Sequence, residues 1–214
     1  MQNFIILSRL NHFLNSEPMK KSVKSLVLIT ISLLGLCRAG AQLKLPSLSP
    51  LCNDIRKVVE DYPNQFGNLR GEIIVDNTQS VDYQCNFNVT GAEEATITRY
   101  SSKKNNVYSW QATMLTTEDF EEARKKFKSL FGQLNNLAIR PAGANAYNLK
   151  GRYESPTEDK KFTTVVFSCH PDDESVRKLK VELTMQYIEP MEWKVKIMVY
   201  EKEREDDERG VIKE

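Results

Sequence analysis

The amino-acid sequence predicts an α+β protein with one antiparallel sheet of about six or seven strands and two main helices packed on one face. Two observations support this fold class. Several segments alternate apolar and polar residues with a period of two, as half-buried strands do, and two others repeat apolar residues at helical spacing. The 214 residues are 40% hydrophobic and 28% charged, which argues against intrinsic disorder and a polytopic membrane protein.

The first helix follows an extended lead-in over residues 42–50. Ser49 supplies a hydroxyl cap and Pro50 suits the first helical position, so the helix is predicted to begin there and to stop at Tyr62-Pro63. Its apolar residues at helical spacing are Leu51, Ile55, Val58 and Val59. Strands are predicted next over 71–75, 81–89, 95–100 and 107–115, and the second of these alternates most clearly, with Tyr83, Cys85 and Phe87 inward.

The second helix is predicted to be capped by Thr116 or Thr117, with acidic residues in its first turn. Its apolar stripe comprises Phe120, Ala123, Phe127, Leu130, Phe131, Leu134 and Leu137. Further strands are predicted over 147–153 and 162–169, followed by a hairpin formed by 179–187 and 193–199. Residues 51–200 are therefore predicted to form one α+β domain, and the charged segment 201–214 is predicted to be a flexible tail.

A short motif recurs in the two halves of this region. Asn68-Leu69-Arg70-Gly71 and Asn148-Leu149-Lys150-Gly151 lie 80 residues apart, each after a predicted helix and each at the start of a strand group. This order predicts two α-β-β-β pseudo-repeats, although the motif could equally be a generic turn into a strand.

The amino-terminal region has the organisation of a secretory signal peptide. A basic stretch from Met19 to Lys24 precedes the 12-residue uncharged run 25–36, and the small residues of 39–41 stand before Gln42. That run is too short to cross a bilayer as a helix. We therefore predict that 1–41 is a signal region of bacterial type. The mature chain is expected in the periplasm or outside the cell, with no transmembrane span.

Two alternatives concern this same region. Residues 1–18 precede a better start at Met19, so Met19 is an alternative first residue. Cys37 makes lipid anchoring a minor alternative, because a bacterial lipobox has a small residue before its cysteine, whereas Leu36 stands here.

The charge balance argues against a nucleic-acid partner. The chain has 30 Lys and Arg against 29 Asp and Glu. Residues 1–41 hold five basic residues and one acid, so the mature chain would carry 25 basic and 28 acidic residues. A slightly acidic net charge does not favour binding to the negatively charged phosphate backbone of a nucleic acid.

Three cysteines lie beyond the signal region. Cys52, Cys85 and Cys169 could form one disulfide of unknown pairing in an oxidising compartment, or remain three buried thiols. His170 is the only histidine after the signal region and directly follows Cys169. Because neighbouring side chains of a strand point to opposite faces, these two are not expected to share a proton. No catalytic residue, metal site or cofactor is predicted.

The leading functional hypothesis is an exported, non-catalytic binding or interaction module, whose partner is an unknown protein or small-molecule ligand in the cell envelope. The exposed sheet face is the expected contact surface. Trp110 or Trp193 would contribute to it if either faced outward, but their alternation with polar residues favours burial. The alternative is a small exported hydrolase or isomerase that uses carboxylates or tyrosines on the sheet.

Overall fold

The computed structural model describes residues 49–101, 106–141 and 145–202. The predicted signal region, with Met19 and Cys37, lies outside the described residues, as do 42–48 of the lead-in and 203–214 of the tail. The helices are α1 (Pro50–Asp61) and α2 (Phe120–Leu134). The strands are β1 (Arg70–Asp76), β2 (Ser80–Cys85), β3 (Glu94–Tyr100), β4 (Val107–Thr117), β5 (Ala138–Ile139), β6 (Tyr147–Lys150), β7 (Phe162–His170), β8 (Leu179–Ile188) and β9 (Glu192–Glu201).

All nine strands belong to one antiparallel sheet, so the predicted α+β class with an antiparallel sheet is confirmed. The strand order is β1-β2-β3-β4-β9-β8-β7-β6-β5, and β4 and β9 pair in the middle. The predicted count of six or seven strands is too low. One strand that the sequence does not predict is β5, whose two residues are too few to show an alternating pattern.

Two strands end earlier than predicted because the chain turns toward a helix. β2 ends at Cys85 rather than at residue 89, and shortly afterwards the backbone and hydroxyl of Thr90 donate to the Asp54 carboxylate of α1, at 2.9 and 2.6 Å. β6 ends at Lys150 rather than at residue 153. Tyr153 instead packs its ring against Phe131 of α2, with centroids 4.9 Å apart. In both places a contact with a helix replaces continued strand pairing.

Helix α1 begins and ends where the sequence predicts. The Ser49 hydroxyl accepts a hydrogen bond from the Cys52 amide at 3.3 Å, Pro50 occupies the first turn, and the helix ends at Asp61. Its buried apolar residues are Leu51, Cys52, Ile55, Val58 and Val59. The apolar face predicted from helical spacing is therefore the face in the core.

The cap of α2 is Asp119, so the prediction of Thr116 or Thr117 is wrong. The Asp119 carboxylate accepts hydrogen bonds from the backbone amides of Glu121 and Glu122, at 2.7 and 3.3 Å. Both threonines instead belong to the end of β4, which extends further than predicted. A carboxylate satisfies the free amides and also carries the charge that a helix amino terminus favours.

The two faces of the sheet differ in chemistry. Ile97, Trp110, Val199 and Val181 lie side by side on β3, β4, β9 and β8, and all are fully buried. Together with the buried residues of both helices they form one core cluster. Full burial of such a side chain contributes about 1.5–3 kcal/mol. The neighbouring row on the opposite face consists of Thr98, Ser109, Tyr200 and Lys180.

Each helix is followed by an antiparallel strand series, with β1–β4 after α1 and β5–β9 after α2. The predicted groups of three strands are therefore groups of four and five. The recurring motif lies at the start of β1 in the first half and in β6 in the second. No helix in the described ranges is long and apolar enough to span a membrane.

Candidate functional site

The two tryptophans predicted as candidate contact residues both lie in the core. Trp110 is fully buried and Trp193 is 4% exposed. The Trp193 ring packs edge-on against Phe120 and Tyr187, with centroids 5.2 and 5.3 Å away. Neither indole ring is therefore placed to contact a partner.

The three cysteines are buried and carry free thiols. The Cys52 thiol donates to the Gln133 carbonyl, and the Cys85 thiol donates to the Phe87 carbonyl, each at 3.4 Å. Burial raises the pKa of the Cys169 thiol. Cys169 is buried whereas the neighbouring His170 is exposed, so the two side chains lie on opposite faces. A buried thiol with a raised pKa is a poor nucleophile.

One tyrosine and carboxylate pair lies on the sheet face opposite the helices. Glu182 accepts hydrogen bonds from the Tyr200 hydroxyl at 2.6 Å and the Thr164 hydroxyl at 2.9 Å. Burial and the Glu182 carboxylate raise the pKa of Tyr200, because both disfavour the phenolate. At neutral pH Tyr200 is a hydrogen-bond donor, and both carboxylate oxygens of Glu182 are occupied.

A second pair lines a groove of about 150 Å³, which we call the Tyr62 groove. Its polar lining residues are Tyr62, Gln65, Asn106, Tyr108 and Glu201. Burial, followed by the Glu201 and Cys169 charges, raises the pKa of Tyr62. The Glu201 carboxylate lies 3.4 Å from the Lys178 ammonium. The protonated Tyr62 phenol and the paired Glu201 carboxylate suit ligand binding better than proton abstraction.

A larger groove of about 600 Å³ runs along the exposed side of α2 and reaches Tyr153. Acidic and basic side chains of adjacent turns line it, and Arg124 forms an ion pair with Glu121. Exposed ion pairs of this kind contribute little to the free energy of unfolding. Among the described residues, no group of three or more His, Cys, Asp or Glu side chains is placed to hold a metal ion.

The most unusual surface lies on the terminal strand β1. Ile73, Ile74 and Val75 are 57%, 55% and 41% exposed, and we call these three residues the β1 edge patch. Terminal strands present unpaired backbone groups, and proteins commonly protect them with charged side chains or proline. Here three consecutive exposed side chains are apolar instead. The patch is therefore the strongest candidate for a contact surface in the described structure.

The start of β1 is held firmly against the sheet. The Arg70 guanidinium carbon lies 5.1 Å from the centre of the Tyr83 ring and 5.2 Å from that of Tyr108. A Cβ atom on Gly71 would lie 2.4 Å from the Asn86 amide oxygen and 3.0 Å from the Gln84 backbone oxygen, so a larger residue would require the Asn86 side chain to move. The pairing with β2 then shifts register on either side of Ile73. This irregular pairing ends the strict alternation of side chains between the two faces.

The sequence predicts a strand over 71–75 but not its position at the edge of the sheet. The sequence of this strand has three consecutive apolar residues between Glu72 and Asp76, without the apolar and polar alternation of a half-buried strand. No known protein family, curated protein or solved structure matches this chain.

Proposed function

We propose that this chain is an exported, non-catalytic interaction module of the bacterial cell envelope, which binds an extended segment of a partner protein along the β1 edge patch. Export is proposed from the predicted signal region, residues 1–41. Binding is proposed from one observation, the three exposed apolar side chains of a terminal strand. Strand addition combines backbone hydrogen bonds, which supply affinity, with side-chain contacts that supply specificity.

A second copy of the chain is a poor occupant of this edge. Antiparallel self-pairing centred on Ile74 would align the apolar residues, because Ile73 would then face Val75 of the other copy. The same register would place Glu72 opposite Asp76 at both ends. Like charges directly opposite each other destabilise a strand pair. The charges that flank the patch therefore disfavour a homodimer.

The same charges favour a partner of opposite sign. Glu72 and Asp76 are exposed and form no ion pair with any residue in the described ranges. An extended apolar segment flanked by lysines or arginines would place cations opposite both carboxylates. We therefore propose a β-branched partner strand with basic flanks.

Two synthetic peptides test this proposal by fluorescence anisotropy. Both contain the same three alternating valine and isoleucine residues, flanked by lysines in one peptide and by glutamates in the other. The lysine-flanked peptide is expected to bind. Ile73→Thr or Ile74→Thr in the protein is expected to lower the affinity for this peptide about fivefold, because each change removes roughly 1 kcal/mol of apolar contact. A higher salt concentration should lower the affinity for the lysine-flanked peptide further, because it screens the charge pairs.

Val166→Thr is the matched control. Val166 is 40% exposed on β7, so this change also removes an exposed apolar side chain but leaves β1 intact. It should not alter peptide affinity. Equal binding of the two peptides, absence of binding, or a dimer in sedimentation that Ile74→Thr dissolves would each overturn the proposed partner.

We also infer that the fold consists of two related halves, each with its helix on the same face of the sheet. Two features support this. The helices and the inward strand residues share one core cluster. Gly71 and Gly151 are the last residues of the recurring motif, and a Cβ atom on each would meet a side chain close by: Asn86, directly after β2, at 2.4 Å and Phe167 of β7 at 2.7 Å.

A further inference from the structure

The Tyr62 groove gathers four polar side chains that form no hydrogen bond with another residue of the described ranges. Tyr62 and Gln65 come from the turn after α1, Asn106 directly precedes β4, and Tyr108 lies near the start of β4. Within the described ranges, none of these four side chains forms a hydrogen bond. Phenols and carboxamides can each donate and accept. The groove therefore offers both donors and acceptors at one small site.

The charge of the groove is balanced. Glu201 is the acidic residue of its lining, and the Lys178 ammonium lies 3.4 Å from that carboxylate. Among the lining residues that the structure describes, Glu201 carries the charge and is paired, so no isolated charge is left there to select a charged ligand. A neutral ligand fits this balance best.

The backbone beside the groove is held in an uncommon conformation. Gln65 and Phe66 are consecutive non-glycine residues with φ of 55° and 56°, in the left-handed region. The Phe66 side chain is fully buried and packs edge-on against Tyr62, with ring centroids 6.2 Å apart. Burial of Phe66 fixes the turn and places Gln65 at the groove. Strained segments held in this way are often part of binding sites.

We propose that the Tyr62 groove binds a neutral, hydroxylated six-membered ring, the size of a single sugar unit. A cavity of about 150 Å³ is large enough for a benzene-sized ligand, so the groove accommodates the six-membered ring itself. The Tyr62 ring would provide apolar contact, since the Arg70 guanidinium already lies over the Tyr108 ring, and the two carboxamides and two phenols would pair with hydroxyl groups. This site is independent of the β1 edge patch and of the protein partner proposed for it.

Titration calorimetry and saturation-transfer NMR with three sugars test the proposal. Glucose is neutral, glucosamine is cationic and glucuronate is anionic, and all share the same ring. Glucose is expected to bind most tightly. Gln65→Gly and Tyr108→Phe should each weaken glucose binding about fivefold, as expected for one lost hydrogen bond.

Gln65→Gly is a favourable test because glycine adopts a positive φ without strain, so the variant is expected to fold. Asn136→Gly is its matched control, since Asn136 also has a positive φ, 71°, and lies outside the groove lining. It should leave glucose binding unchanged. Absence of binding, tighter binding of either charged sugar, or unchanged binding by both groove variants would overturn the proposal.

Discussion

The Asp61 carboxylate holds the end of α1 against the segment that leads into β1. It accepts hydrogen bonds from the Asn68 backbone amide at 3.0 Å and from the Asn68 side-chain amide at 2.6 Å. A third hydrogen bond comes from the Asn64 side chain at 3.1 Å. In the second half of the chain, Asn135 plays a similar part, because its side-chain oxygen accepts from the Gly151 amide at 3.3 Å. Both connections place the recurring motif next to a helix carboxyl terminus.

Asp61→Asn should lower the free energy of unfolding by about 1–3 kcal/mol. Asp61 is only 7% exposed, and asparagine replaces one acceptor oxygen by an amino group that would face the donors of Asn64 and Asn68. Urea unfolding at pH 7 measures the change. Glu60→Gln is the control, because Glu60 is the exposed preceding residue and loses the same charge. Equal losses in the two variants would contradict the role of Asp61.

Gly151→Ala should destabilise the protein by about 1–3 kcal/mol. The added Cβ would lie 2.7 Å from the Phe167 ring and 2.8 Å from a Val165 methyl group, and both side chains are buried in the core. Gly132→Ala is the control, because Gly132 lies in α2 and, apart from the adjacent backbone of its own helix, nothing lies within 4 Å of its Cβ position. That change should stabilise the protein by about 0.5–1 kcal/mol. Thermal unfolding of both variants should therefore shift the midpoint in opposite directions.

Local pattern was sufficient to predict much of the fold. The alternation of β7, β8 and β9 and the Ser49-Pro50 start of α1 all depend on residues close in sequence. The cap of α2 was not predictable in this way, because Thr116, Thr117 and Asp119 are all suitable residues. Their roles depend on where β4 ends, which is set by its pairing with β9.

The candidate sites depend on contacts between distant segments. β1 lies at the edge of the sheet because no described strand pairs with its outer side. The sequence of β1 alone cannot show this position. The Tyr62 groove joins Tyr62, Tyr108 and Glu201 from three separate elements, and none of them belongs to a recognisable motif. The sequence did favour burial of Trp110 and Trp193, since each alternates with polar neighbours.

Thr163→Val should raise the free energy of unfolding by about 1 kcal/mol. The Thr163 hydroxyl is buried and has no hydrogen-bond partner among the described residues, while valine has nearly the same shape. The neighbouring Thr164→Val should have the opposite effect, a loss of about 0.5–1.5 kcal/mol, because the Thr164 hydroxyl donates to Glu182 at 2.9 Å. Urea unfolding of the pair is the measurement, and a loss of stability in Thr163→Val would contradict the assignment of an unpaired hydroxyl.

Tyr62 should make the folded protein sensitive to alkaline pH. Burial and the Glu201 carboxylate raise the pKa of Tyr62 in the folded state, whereas the unfolded chain ionises this phenol near a pKa of about 10. The protonated Tyr62 phenol therefore contributes its full stabilisation of the folded state below about pH 10. At higher pH the unfolded chain releases this proton more readily than the folded protein does, so the stabilisation is lost. Tyr200 shifts in the same direction, through burial and its hydrogen bond to Glu182.

Urea unfolding at pH 9 and pH 11 should therefore show a smaller loss of stability in Tyr62→Phe than in the unmodified protein, because phenylalanine has no proton to release. Tyr100→Phe is the control, since the Tyr100 side chain is 46% exposed, and it should follow the unmodified protein at both pH values. Lysine ionisation over this range is common to all three proteins and cancels in the comparison. If Tyr62→Phe lost as much stability as the unmodified protein, the Tyr62 phenol would not be the group that links folding to alkaline pH.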